Sequence, residues 1–241
     1  MLVTTMPKSG TYYISKLFSE GLSIESRIVS HQYFPDDVIR QPELRMLSMG
    51  NCISQDHFGP SKINLTHIGR HVDRMIVHLR DPRQALLSYV HYLDTERFRQ
   101  KEEETLLFIY PPLPDDFYRR DLASRIDWAI ANWLPFLVQW VEGWVAVADW
   151  SGRPRIKFTR YEDLVTDRDK FVSDVLDFFE IPNELLTPLD IAPDPVIHFR
   201  KGEIDEWVRV FSSAQLAAAN ALIPTALASR FGWPLLDALR K

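Results

Sequence analysis

Near its start the chain reads Leu2-Val3-Thr4-Thr5-Met6-Pro7-Lys8-Ser9-Gly10-Thr11-Tyr12-Tyr13-Ile14. The β-leaning run from Leu2 to Met6 predicts a short strand, which Pro7 ends because proline has no N–H for a sheet ladder. Gly10 allows a positive φ or a close approach of the backbone to a ligand. Apolar residues then repeat at helical spacing: Tyr13, Ile14, Leu17 and Phe18. The segment therefore predicts a strand, a tight turn and a helix.

The turn between this strand and helix is predicted to bind an anion. The first N–H groups of a helix have no partner within the helix, and the helix dipole places positive charge there. Lys8 adds a full positive charge, and Ser9, Thr11 and Tyr12 add hydroxyl groups. This combination favours a phosphate or sulfate ester as the ligand. The pattern G-x-x-x-x-G-K-[ST] is missing, which argues against a phosphate-loop kinase or ATPase.

The length of 241 residues fits one large α/β domain as easily as two small ones, and the hydrophobic share of 46% makes a sizeable core available. Because the sequence shows no internal repeat and no low-complexity linker, one domain over residues 1–241 is predicted. A net charge of −5 argues against a nucleic-acid-binding protein. The single cysteine, Cys52, excludes an internal disulfide and fits a reducing compartment. No signal peptide is visible, and no apolar run approaches the roughly 18 residues of a membrane helix. The expected location is therefore the cytoplasm, with no membrane span.

Further strands are predicted at 27–30, 52–55, 75–79 and 155–159, and further helices at 82–92, 126–148, 171–179 and 214–224. The strand at 75–79 is apolar almost throughout, which indicates a parallel sheet covered on both faces. The carboxyl ends of such strands are where ligands bind. Residues 94–116 combine a charged run with an apolar, proline-ended run. We interpret them either as a lid on the acceptor side or as a solvated linker.

A second anion-binding pattern follows the strand at 75–79. It reads Arg80-Asp81-Pro82-Arg83-Gln84-Ala85-Leu86-Leu87-Ser88. Asp81 can cap a helix that has Pro82 at its first position. Arg80 at the strand end offers planar donors to phosphate oxygens, and Ser88 lies two turns into the helix. In the alternative reading, Arg80 pairs with Asp81 or Glu162 and Ser88 is a surface hydroxyl.

A third pattern, His198-Phe199-Arg200-Lys201-Gly202, precedes Trp207 and Phe211. In this order, the three patterns resemble the 5′-phosphosulfate loop, the 3′-phosphate motif and the Arg-Lys-Gly loop of sulfotransferases that use 3′-phosphoadenosine 5′-phosphosulfate (PAPS). The match is to a cytosolic-type sulfotransferase domain, in a short, bacterial-like form. The resemblance implies a three-layer α/β/α sandwich with a central parallel sheet, similar to the P-loop NTPase fold. It also implies PAPS as co-substrate and no metal ion.

The resemblance assigns nucleotide-binding roles to Lys8, Ser9, Gly10, Thr11, Tyr12, Tyr13, Arg80, Ser88, Tyr161, Arg200, Lys201 and Gly202. Lys8 is also implied to stabilise the charge that develops on the leaving nucleotide. Tyr13 stands where many members have an adenine-stacking tryptophan, and Tyr161 is either an adenine contact or a core residue. The chain departs from the family at Asp205-Glu206-Trp207-Val208, where Gly-Asp-Trp-Lys is usual.

The acceptor must lose a proton, and histidine is the natural base because its free pKa lies near ~6.5. His57 is the predicted base, since it lies where the strand predicted at 52–55 meets the turn at Gly59-Pro60. It also lies 23 positions before Arg80, which resembles the separation at which family members carry their catalytic histidine. His31 and His67 are the rivals, and Asp56 would serve in a carbohydrate-type member.

The predicted activity is transfer of a sulfuryl group to a hydroxyl, or as second choice an amine, of a small-molecule, lipid or carbohydrate acceptor. A PAPS- or PAP-binding protein of the same fold without catalysis is the alternative. The sequence makes no prediction of the acceptor's identity or of the oligomeric state.

Overall fold

The computed structural model describes residues 1–95, 111–150, 154–189 and 202–235. The chain divides into two compact units, Met1–Arg80 with Trp140–Phe199, and Asp81–Gln139 with Arg200–Lys241. A single domain over residues 1–241 stays a prediction. Two predicted site residues, Arg200 and Lys201, lie outside the described residues, as does most of the predicted lid or linker at 94–116.

The strands are β1 (Leu2–Thr5), β2 (Glu25–Arg27), β3 (Cys52–Ser54), β4 (Arg74–Leu79) and β5 (Arg155–Arg160). The helices are α1 (Thr11–Gly21), α2 (Gln41–Ser48), α3 (Lys62–His71), α4 (Pro82–Leu93), α5 (Leu122–Asn132), α6 (Leu134–Trp150), α7 (Tyr161–Thr166), α8 (Arg168–Phe179), α9 (Glu206–Val210), α10 (Ser213–Leu222) and α11 (Thr225–Phe231). Among the described residues, no helix is both long and apolar enough to cross a membrane.

The sheet of the first unit is parallel. One set of strands has the order β1-β4-β5, with Leu2 opposite Met75, and a second set pairs β2 with β3. Backbone hydrogen bonds join the sets: the N–H of Ser54 donates to Met1, and the N–H of Thr5 donates to Asp56. Together the strands follow the order β2-β3-β1-β4-β5. The chain first moves to one side of β1 and then to the other, and ligands bind at the strand carboxyl ends beside such a switch.

The core of the first unit explains why α1 forms where it does. Its residues Ile14, Leu17 and Phe18 are buried together with Val3 of β1 and Ile76 of β4. Strand β4 is buried from Met75 to Leu79, which confirms the predicted two-sided burial. Helix α1 therefore packs on the sheet, and its first turn lies at the carboxyl end of β1.

Arg83 organises the second unit. Its Nε and one terminal nitrogen donate to the Asp81 carboxylate at 2.9 and 2.7 Å, and the guanidinium carbon lies 3.8 Å from the centroid of the Trp207 ring. Asp81 also accepts the N–H of Arg83, so it is the N-cap of α4, as predicted. Trp207 and Phe211, which follow the third sequence pattern, are both buried.

Two secondary-structure predictions are wrong. The single helix at 126–148 is instead two helices, Leu122–Asn132 and Leu134–Trp150, separated at Trp133. Pro135 explains the break, because proline lacks an N–H and its ring clashes with the carbonyl four residues earlier. The second strand is Glu25–Arg27 rather than 27–30. The N–H groups of Val29 and Ser30 donate to the Asp56 carboxylate instead of a neighbouring strand.

Candidate active site

The predicted anion-binding loop connects β1 to α1. Lys8 has a φ of 67° and Gly10 a φ of 89°, so two residues of the loop adopt the left-handed region. Such a conformation is uncommon for a residue with a side chain and often marks a functional site. Gly10 is the N-cap of α1 and contributes no side-chain cap. The helix therefore begins without a side-chain N-cap on its first N–H groups.

Arg80, at the end of β4, is held against this loop. One of its terminal nitrogens donates a hydrogen bond of 2.8 Å to the carbonyl oxygen of Lys8. Only 6% of Arg80 is exposed. Burial, together with the positive charge of Arg80, lowers the pKa of Lys8 to about 7. Two cationic side chains thus share a desolvated region, which a bound anion would stabilise.

Tyr161, the first residue after β5, completes the packing around Arg80. The guanidinium carbon of Arg80 lies 4.0 Å from the centroid of the tyrosine ring, a cation–π distance. The ring also lies against Gly10, where an added Cβ would be 3.2 Å from the tyrosine Cε2. Burial raises the pKa of the Tyr161 hydroxyl. The structure therefore brings Lys8, Gly10, Arg80 and Tyr161 together at the ends of three strands.

His57 lies after β3, next to the end of β1. Its Nδ1 is 2.8 Å from the carbonyl oxygen of Thr5. Because a carbonyl only accepts, Nδ1 carries the hydrogen and Nε2 keeps a free lone pair. Burial lowers the pKa of His57, while the hydrogen bond to Thr5 and the negative charge of Asp37 oppose that change. His57 is thus a neutral imidazole with one basic nitrogen.

The hydroxyl group of Thr5 joins His57 to the anion-binding loop. Its Oγ1 lies 3.1 Å from His57 Nδ1 and 2.6 Å from Oγ1 of Thr11, the first residue of α1. The predicted base and the predicted anion site are therefore separated by one threonine side chain. Sequence reasoning missed Thr5, which read only as part of a strand.

The two rival histidines lie elsewhere in the first unit, whereas Asp56 directly precedes His57. His31 is exposed in the segment after β2. His67 is half-buried on α3, the helix that precedes β4. Asp56 is fully buried, and its carboxylate accepts the N–H groups of Val29 and Ser30. Burial raises the pKa of Asp56 to about 6.

Asp56 also shares a hydroxyl group with a second buried carboxyl group. The Oγ of Ser30 is 2.6 Å from Oδ1 of Asp56 and 2.6 Å from Oδ2 of Asp37. The hydroxyl group has one hydrogen, so it can donate to only one of these oxygens. The second contact is a hydrogen bond when one of the two carboxyl groups is protonated and donates to the Ser30 oxygen. No pattern in the sequence indicated this pair.

The remaining predicted site residues take several positions. Ser9 is buried, and its hydroxyl group donates to the carbonyl oxygen of Met6 at 2.6 Å. Tyr12 is 40% exposed at the start of α1, and Tyr13 is half-buried with Arg168 5.9 Å from its ring centroid. Ser88 and Gly202 belong to the second unit. Ser88 is half-buried on α4, and Gly202 has a φ of 70°.

In the described ranges, no group of three or more His, Cys, Asp or Glu side chains is arranged to hold a metal ion. The first unit thus presents a parallel α/β sheet with a cationic loop at its switch point and a neutral histidine beside that loop.

Comparisons with known proteins identify the class of protein to which this sheet and loop belong. A model of the sulfotransferase domain matches residues 1–190. The structure is similar to mouse sulfotransferase SULT7A1 complexed with PAP, with a TM-score of 0.61 and 13% identity over 92% of this chain and 81% of that one. It is also similar to a sulfotransferase from Alicyclobacillus acidocaldarius, with a TM-score of 0.50 and 18% identity over 92% and 94% of the two chains. A comparison with curated proteins finds no match.

Because the match to the family model covers most of the chain, the chain belongs to the sulfotransferase domain family. The predicted fold, an α/β structure with a central parallel sheet flanked by helices, is confirmed.

Proposed function

We propose that this sulfotransferase moves a sulfuryl group from PAPS to a hydroxyl group of a small-molecule, lipid or carbohydrate acceptor, an amine being the second choice. The observation that carries the proposal is the contact chain from His57 through Thr5 to Thr11. It joins a neutral histidine to the first residue of the anion-binding helix. A base and an electrophile held this close would need little further ordering before transfer.

The donor would lie on the loop at residues 6–10 and the start of α1. Lys8 and the helix N-terminus would bind its phosphosulfate, which fits their positive charge and the uncapped first turn. The PAP complex of mouse SULT7A1 supports this class of nucleotide. Arg80, Ser88, Arg200, Lys201 and Gly202 stay predicted contacts of the 3′-phosphate, and Tyr12, Tyr13 and Tyr161 stay predicted contacts elsewhere on the nucleotide.

The reaction needs positioning and charge stabilisation more than covalent participation by the protein. The acceptor oxygen forms a bond to sulfur while the bond from sulfur to the bridging phosphate oxygen breaks. The acceptor proton passes to Nε2 of His57, which is free because Nδ1 donates to Thr5. The leaving PAP gains negative charge at the bridging oxygen, and Lys8 with the helix N–H groups would stabilise that charge.

The first experiment is calorimetry with PAP on the wild type and on Arg80→Ala, followed by transfer of labelled sulfate from PAPS to a panel of phenols, sterols and sugars. Micromolar binding that is lost in Arg80→Ala, with transfer that Lys8→Ala and His57→Ala abolish, would support the proposal. No binding by the wild type would overturn it. Binding without transfer to any acceptor class would favour the non-catalytic alternative.

A further inference from the structure

His78 connects the anion-binding loop to the middle of the sheet. It lies on β4 and is fully buried. Its Nε2 is 3.0 Å from the carbonyl oxygen of Ser9, and its Nδ1 is 2.8 Å from Oγ1 of Thr159 on β5. Because the carbonyl only accepts, Nε2 carries the hydrogen and Nδ1 accepts from the threonine hydroxyl group. One side chain therefore bridges from β5 to the loop that follows β1.

The protonation state and the tautomer of His78 are determined by its surroundings. Burial lowers its pKa to about 3, with Arg80 adding to the effect and the Ser9 hydrogen bond and Asp163 opposing it. The imidazole is therefore neutral near neutral pH and has one tautomer. Its ring also packs edge-on against Phe171, with centroids 5.7 Å apart. These contacts leave the ring no alternative orientation that keeps both hydrogen bonds.

The hydrogen bond to Ser9 determines where the next peptide N–H points. In a trans peptide, the carbonyl oxygen of one residue and the N–H of the next point in opposite directions. With the Ser9 carbonyl directed at His78, the N–H of Gly10 is directed away from the sheet interior. Gly10 is the N-cap of α1, so this N–H stands beside the first N–H groups of the helix.

The carbonyl groups of two successive residues each accept a hydrogen bond from a buried side chain. His78 holds that of Ser9, and Arg80 holds that of Lys8 at 2.8 Å. The first of these carbonyl groups along the chain belongs to Lys8, whose left-handed conformation a lysine rarely adopts without support. The loop geometry therefore depends on these two donors as well as on its own sequence.

We infer that His78 is a positioning residue for the sulfuryl donor: by holding the Ser9 carbonyl group, it directs the Gly10 N–H at a phosphosulfate oxygen. The inference rests on the proposed function, because it requires the donor to bind this loop. His78 would act only through Ser9 and would not contact the nucleotide.

The test compares two amide substitutions. His78→Gln places an amide N–H near the position of Nε2 and keeps a donor for Ser9, whereas His78→Asn places its amide near Nδ1, toward Thr159. Both introduce a buried amide, and asparagine is shorter than glutamine by one methylene group. We expect His78→Asn to bind PAP about tenfold or more weakly than His78→Gln, the effect of a lost hydrogen bond to an anion.

A backbone readout separates positioning from general instability. In a ¹⁵N-labelled protein, PAP should shift the Gly10 amide resonance in the wild type and in His78→Gln, and shift it much less in His78→Asn. Equal PAP affinities and equal Gly10 shifts in the two folded variants would overturn the inference while leaving the proposed function intact. A wild type that does not bind PAP would overturn the proposed function instead. If His78→Asn does not fold, His78→Phe, which keeps a ring against Phe171, replaces it in the same comparison.

Discussion

The guanidinium carbon of Arg80 lies 4.0 Å from the centroid of the Tyr161 ring. The same guanidinium donates to the carbonyl oxygen of Lys8, so β4, β5 and the anion-binding loop meet at one arginine. Gly10 makes room for this arrangement, because a Cβ there would lie 3.2 Å from the tyrosine ring. The loop can adopt this geometry because Gly10 has no side chain.

Gly10→Ala should lower both the free energy of unfolding and the affinity for PAP. A φ of 89° costs an alanine ~1 kcal/mol, and the new methyl group would also press on Tyr161. Gly50→Ala is the matched control, since Gly50 has a φ of 103° but no atom within 4 Å of an added Cβ. Urea denaturation and calorimetry should show a larger stability loss for Gly10→Ala, and weaker binding for it alone. Equal losses in the two variants would contradict a role for the Tyr161 contact.

His57→Asn should abolish most sulfate transfer while PAP still binds. The asparagine amide can replace the hydrogen bond from Nδ1 to Thr5, but it offers no basic nitrogen in place of Nε2. Loss of a general base typically lowers kcat by about 10²–10⁴-fold. The rate is measured with labelled PAPS at saturating acceptor. His31→Asn and His67→Asn are the controls, and a larger loss in either than in His57→Asn would move the base to that residue.

PAP binding should take up a proton near pH 8. Lys8 has a pKa of about 7, so it is largely neutral at that pH, and a bound anion favours its charged form. The part of the binding enthalpy that is present in the wild type and absent in Lys8→Arg should therefore vary with the ionisation enthalpy of the buffer at pH 8 and vary little at pH 6. Lys8→Arg serves as control, because a guanidinium stays charged throughout. An uptake of equal size in wild type and Lys8→Arg would assign the proton to another group.

The stability that Asp56 contributes should fall as the pH rises. Its pKa is raised from 3.8 to about 6, so the folded state binds the proton more tightly than the unfolded state does. The contribution is complete below pH 3.8 and is lost as the pH rises through about 6, a change of ~3 kcal/mol. The advantage of wild type over Asp56→Asn, measured by urea denaturation from pH 4 to 7, should therefore shrink.

Asp121 provides a control of opposite sign. Its side chain caps α5 by accepting the N–H of Ser124, and its pKa is lowered, with the hydrogen bonds to Ser124 as the main cause. The advantage of wild type over Asp121→Asn should grow as the pH rises from below 4. A wild-type advantage over Asp56→Asn that also grows with pH would mean that Asp56 is ionised in the folded state.

Local sequence signals determined much of the fold. Pro7 and Gly10 mark a turn between a β-leaning run and a helical repeat, and Asp81 with Pro82 marks the start of α4. The buried strand Arg74–Leu79 follows from the nearly continuous apolar run at 75–79. These features depend on residues within a few positions of each other, so periodicity and capping are enough to predict them. Where a local signal was overlooked, at Pro135, the helix prediction was wrong.

The sequence by itself determined the family, many of the strands and helices along the chain, and the candidate residues Lys8, Arg80 and His57. Only the tertiary structure decided how these residues are held. His78 meets the Ser9 carbonyl across 69 positions, His57 meets Thr5 across 52, and Asp56 meets Val29 across 27. Such contacts depend on strand order and register, which bring distant segments side by side. The residues next to a given residue in the sequence do not indicate which distant residues it contacts.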